Sequence, residues 1–207
     1  MIESQEDIAN RALRKLGSQP LVGAITATND KNAIVMNSIY EDTLEAVLGE
    51  SFWSFAMKRI LLDTALSDYD PAWTKHGLEY TYVVPSDFVR LKGWNTESAR
   101  VIREGNVFRS DTPDLGILYV YFNTTISQYP IYFIEAFVDK LALDASYTIL
   151  QGPPETKYLE ERYAVSLAGA VAKDYQDGSQ LAVKCDTWVN GRFSGHLDNG
   201  DGGLYYR

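Results

Sequence analysis

Acid–base and nucleophilic chemistry at neutral pH most often turns on histidine, and this chain has two, His76 and His196. His76 stands between Lys75 and Gly77, and His196 lies in a glycine-rich stretch near the C-terminus. A catalytic imidazole needs a neighbour that fixes its tautomer and a support that holds it still. Neither position offers these, so both read as surface histidines. Cys185 is the only cysteine, which excludes an intrachain disulfide and a cysteine zinc site. Two scattered histidines do not make the usual zinc triad. Asp198 and Asp201 lie in an Asp-Asn-Gly-Asp-Gly-Gly run, but the alternating oxygen ligands and closing glutamate of a calcium loop are missing. Neither GxxxxGK[ST] nor GxGxxG occurs, so no phosphate-cradling loop is expected. Carboxylate pairs remain, the machinery of glycoside hydrolysis. Glu41, Asp42 and Glu45 cluster, as do Glu155, Glu160 and Glu161. At helical spacing such groups read as solvated faces. A hydrolytic role would need one carboxyl with a raised pKa in a cleft. The residues therefore point away from catalysis, with no cofactor and no metal expected.

The elements that would position any site follow from composition and periodicity. With 207 residues, the chain is long enough for one domain or two small ones. Apolar residues make up 45% and charged residues 23%, which suits a globular fold. Tyr is abundant, at 14 residues; it packs well in sheets and also suits wet, packed interfaces. The formal net charge is −9, and the basic clusters are short: Arg11, Arg14 and Lys15, then Lys58 and Arg59. Tight wrapping of nucleic acid is disfavoured, because phosphate contacts call for a basic patch. An acidic wall is compatible with a passage through which DNA slides without sticking. The acidic, polar start does not resemble a secretory signal. The longest apolar run has six residues, 117–122, whereas a membrane span needs about 20. A soluble product without a membrane anchor is expected.

Ile8, Ala9, Ala12, Leu13 and Leu16 share one face of a first helix, capped by Ser4 and ended by Gly17. A second helix is expected over 30–48, with Asn29 as its cap and Gly49 as its stop. A short helix is expected over 52–62, with Trp53 and Phe55 in the core. The period then changes. Residues 78–84, 88–94 and 117–123 read as strands, and 101–108 as a hairpin around Gly105 and Asn106. Helical character returns after Pro130, with a wide apolar stripe from Phe133 to Ala145. Gly152-Pro153-Pro154 breaks the chain, and a last helix is expected over 155–175. Six of the 15 glycines fall in 178–207, a composition that cannot hold a core. That stretch nonetheless carries Trp188, Phe193, Tyr205 and Tyr206, as a docking arm would. The expected fold is α+β: an antiparallel helix bundle (1–62 and 129–177) with an inserted small antiparallel β domain (63–128) and a flexible C-terminal arm (178–207).

Four stretches in this order resemble the tail tubular protein A family, the head-to-tail adaptor under the portal of short-tailed phages. Ile8 to Gly17 resembles its opening helix, which ends in Leu-Gly. Residues 33–48, with Tyr40 and Val47-Leu48, resemble its second helix. Ser51-Phe52-Trp53-Ser54-Phe55-Ala56-Met57-Lys58-Arg59 resembles its His-Pro-Trp-Asn-Phe-Ala segment, with Ser-Phe in place of His-Pro and Ser54 in place of Asn. Tyr80 to Arg90, with Pro85-Ser86-Asp87-Phe88-Val89-Arg90, resembles its Tyr-x-Tyr…Pro-x-Asp-Phe/Cys-Leu-Arg segment. The likeness spans residues 2–175.

The resemblance implies a virion protein assembled in the host cytoplasm. It would form a homo-oligomeric ring, typically a dodecamer, between the portal protein and the tail nozzle protein, with genomic DNA passing through without tight binding. On that reading Trp188, Phe193, Tyr205 and Tyr206 would dock on the portal. Trp94 and Phe108 would lie in the β domain, facing the nozzle or in its core, and Arg11 and Arg14, turned away from the apolar stripe of the first helix, would meet a neighbour's acid in the ring or be solvated. Two other readings compete. One is a tail-associated cell-wall hydrolase using a carboxylate pair, tested at Glu41 and Glu161. The other is a head-completion or neck connector of a long-tailed phage, which would lack so large an inserted sheet.

Overall fold

The computed structural model describes residues 4–27, 29–62, 77–96, 98–150 and 156–177. Among these residues the fold is α+β, with four α-helices and two three-stranded antiparallel sheets. The segment 178–207, with Trp188, Phe193, Tyr205 and Tyr206, lies outside the described residues, as do His76, Cys185 and His196.

Helix α1 (Gln5–Lys15) starts where Ser4 accepts a hydrogen bond from the Asp7 amide at 3.2 Å. It ends in a Schellman turn: the Ser18 amide donates to Leu13 O and the Gly17 amide to Arg14 O. Gly17 sits at φ +68°, a conformation that costs little only without a Cβ. Helix α2 (Lys31–Glu50) is capped by Asp30, whose carboxylate accepts from the Asn32 amide at 2.9 Å. The expected cap, Asn29, is one residue too early, because the φ/ψ that aims a side chain at the N2 amide falls at Asp30. The helix also runs through Gly49, which is held within its last turn.

The expected helix over 52–62 does not form. A single 3₁₀ turn (Ser54–Ala56) leads directly into β1 (Met57–Leu61). Helical spacing of Trp53, Ala56 and Ile60 suggested the helix, but β1 is recruited by pairing with β6 (Gly116–Tyr121), Met57 opposite Val120 and Leu61 opposite Gly116. That partner is distant in sequence, so local pattern could not reveal it. The β unit thus begins at Met57 rather than at residue 63. It also divides into two sheets. β6 lies between β1 and β3 (Phe88–Trp94), and β5 (Val107–Ser110) lies between β2 (Tyr80–Val83) and β4 (Val101–Glu104). The predicted hairpin is β4–β5, turning through Gly105 at φ +59°.

Helix α3 (Ile131–Ile149) is the central helix, packed against α1, α2 and α4 (Thr156–Asp177). Its buried side chains include Phe133, Phe137, Val138, Leu141 and Ala145, which fits a helix surrounded on most sides. Trp53 is fully buried beside it, edge-on to Phe133 at 5.0 Å, with its indole N–H donating to Val47 O at 2.9 Å. Phe55 packs on Phe133 at 4.7 Å. The second core fills the space between the two sheets with Phe108, Tyr119, Ile117 and Tyr82. Strand β6 serves both cores: Val120 belongs to the helical one, and Ile117 and Tyr119 to the other.

Candidate interaction surfaces

Among the described residues no group of three or more His, Cys, Asp or Glu is placed to hold a metal ion. The described carboxyls whose acidity clearly shifts are Glu6, Asp87 and Asp111, and all three are stronger acids than usual. A general acid needs the opposite shift. Burial pushes Asp87 up, but hydrogen bonds from Lys58 at 2.7 Å and Tyr119 at 2.8 Å outweigh it. Burial, then Asp87 itself, raises the Tyr119 hydroxyl. Glu41 and Glu161, the carboxylates singled out for hydrolysis, are exposed on α2 and α4. A surface groove of about 430 Å³ beside Glu161 is lined by Asp139, Arg162, Tyr158 and Val165. Its buried carboxylate, Asp139, is already engaged by Lys15 at 2.6 Å and Arg162 at 3.0 Å. No helix among the described residues is long and apolar enough to cross a membrane.

The polar interactions of the described residues gather at the joints between elements. The stretches that carry the resemblance form the joints. Arg90 donates to Gly49 O at 3.0 Å and Glu50 O at 3.2 Å, which satisfies carbonyls at the end of α2 and places a cation at its negative pole. Its guanidinium also lies over the Phe52 ring at 4.5 Å. Asp87 binds β1 through Lys58 and β6 through Tyr119. Asp174 of α4 accepts from the Ser54 amide at 3.0 Å, from the Ser54 hydroxyl at 2.8 Å and from Tyr132 at 3.2 Å. The sequence reading did not single out Asp174; its signal was the Ser54 position, whose partner lies 120 residues away.

The expected surface residues separate. Arg11 is not free for a neighbour: it pairs with Glu135 of α3 in the same chain. Helix α1 packs beside α3, so the side of α1 flanking its apolar stripe meets an intrachain acid. Arg14 does remain exposed, its Nε donating to Asn10 O at 3.2 Å. Trp94 is 39% exposed at the end of β3. Phe108 cannot face a partner, because it is wholly buried between the sheets, edge-on to Phe88 at 5.6 Å.

Two surfaces stand out instead. On α2, Ile34, Ser38, Glu41 and Glu45 form one outward stripe with Asp42 beside it. Between Lys31 and Lys58 the sequence holds no basic residue. The second surface is the face of the β1–β6–β3 sheet that looks toward the helices, beyond the part α2 covers. Arg59 stands opposite Leu118, Leu61 opposite Gly116, and Lys92 precedes Gly93 across from the same Leu118. Leu61 is 62% exposed and Ile34 is 52% exposed.

No family model and no curated protein matches the chain.

Proposed function

We propose that this chain is a virion structural protein, the head-to-tail adaptor of a short-tailed phage, in a ring that joins the portal to the tail nozzle and lets DNA pass. One observation carries the reading. The β unit is inserted between α2 and α3 and is tied to the helices through residues of the resemblance, Trp53, Ser54 and Arg90, while Asp87 ties β1 to β6 within it. An inserted β unit with six strands among the described residues also disfavours the neck-connector alternative, which is expected to lack so large an inserted sheet. The residue chemistry supports a binding protein: the shifted carboxyls are held as anions by hydrogen bonds within the chain, and the unpaired acids of α2 lie on an open face.

In this role the helical part builds the ring, the β unit faces the nozzle, and the C-terminal segment with Trp188, Phe193, Tyr205 and Tyr206 engages the portal. The decisive measurement is light scattering of the purified chain, alone and mixed with a portal ring. The expected result is a stoichiometric ring of chains on the portal, lost when residues 178–207 are deleted while the helical signal in circular dichroism stays. A small oligomer indifferent to the portal overturns the proposal.

A further inference from the structure

Glu41, Asp42 and Glu45 have no hydrogen-bond or ion-pair partner among the described residues, and neither has Arg59. The Lys92 ammonium meets only the Phe52 ring, at 5.6 Å. Each surface thus carries acids or bases that the described residues of its own chain leave unpaired, with an exposed aliphatic nearby: Leu61 two residues along β1 from Arg59, and Ile34 two turns before Glu41. Like charges held together raise the energy of the folded chain, and a complementary surface relieves that cost and fixes the register of docking. The acids lie along one helical stripe at spacings of four and three residues. The basic groups lie on β1 and β3, on either side of Leu118. A helix laid across that sheet face would bring Glu41 and Glu45 to Arg59 and Lys92.

We infer that the occupant of the basic face is a second copy of this chain, whose α2 stripe docks on the Arg59–Lys92 side of the β1–β6–β3 sheet. The two mating surfaces differ, so the contact is heterologous: it leaves one donor face and one acceptor face free at the ends and propagates until it closes. The inference deepens the ring reading above and rests on it for the meaning of closure, but the contact itself needs no portal.

The test is a charge exchange read by light scattering of the full chain at low salt and high protein concentration. One variant carries Glu41→Lys and Glu45→Lys, the other Arg59→Glu and Lys92→Glu. All four positions are exposed, and circular dichroism checks that each variant folds. The wild-type chain is expected at least to double its weight-average mass above the 23.3 kDa of one copy and to return to it in added salt. Each variant alone is expected to stay at one copy. An equimolar mixture is expected to regain the wild-type mass, because every α2 stripe then finds an oppositely charged sheet. A wild-type chain that stays at 23.3 kDa up to millimolar concentration overturns the inference. So does a variant that associates as the wild type does, or a mixture of folded variants that fails to regain mass. Association through these faces by a chain that ignores the portal would sink the adaptor reading and leave this contact standing. Portal attachment unaffected by either variant, with no self-association, would do the reverse.

Discussion

At the scale of single residues the molecule is held by charged groups that each secure two or three elements. Arg90 shows the pattern, since one guanidinium closes two carbonyls of α2 and covers Phe52. Replacing it with Ala is expected to cost about 1.5–3 kcal/mol, the range for hydrogen bonds to a charged group, measured as a shift in urea midpoint with unchanged m-value. Asp139 is more enclosed, its side chain 6% exposed between Lys15 and Arg162. Asp139→Ala is expected to cost about 3 kcal/mol, the low end for breaking a buried pair, because Lys15 keeps Glu135 at 3.6 Å. Asp87 makes stability depend on pH. Its folded pKa lies below its ordinary 3.8, so its contribution is complete above that value and is lost as the pH falls through the folded pKa. The stability difference between the wild type and Asp87→Asn is therefore expected to be constant above about pH 5 and to shrink below pH 4, checked by urea melts across that range. A difference that grows toward low pH would contradict the pairing. The sequence already contained the charges of these joints. What it lacked was their partners, such as Glu135 for Arg11 and Asp174 for Ser54, both more than a hundred residues away.

At the scale of elements, legibility followed locality. The start and stop of α1 were readable because Ser4, Asp7 and Gly17 act within one turn of the helix they bound. Gly17→Ala is expected to cost about 1–2 kcal/mol by placing a Cβ in the left-handed region, with the loss seen as a lower melting temperature; Gly23→Ala, which has open space and ordinary φ, serves as the control. The central helix was readable because its apolar stripe is wide. β1 was not, because a strand of Met-Lys-Arg-Ile-Leu, with charges at its centre and both of those charges exposed, shows no alternation that a period-two search would find. The division of the strands into two sheets was hidden for a related reason: each strand's apolar residues announce a buried face, while the choice of neighbour depends on pairings across long stretches of chain.

At the scale of the whole molecule, both halves of the proposed docking contact were visible as sequence clusters, Glu41, Asp42 and Glu45 on one side and Arg59 on the other. Lys92 joins Arg59 only because β6 stands between β1 and β3 and brings their outer charges onto one face. Charge that looks like ordinary solvation along the chain becomes a matched pair of surfaces once the sheet is assembled.

The neighbouring of β1 and β6 has one more consequence. The chain leaves the helices at Met57 and comes back along the adjacent strand at Val120, so departure and return are a single pair of facing residues. The distal end of the β unit, from Leu61 opposite Gly116 outward, works like a fitting on a fixed stem. Its length and shape can be rewritten while the stem stays in register, leaving Trp53, Val120 and the helices where they are. Such a molecule can change what it meets at one end without renegotiating how it is built at the other.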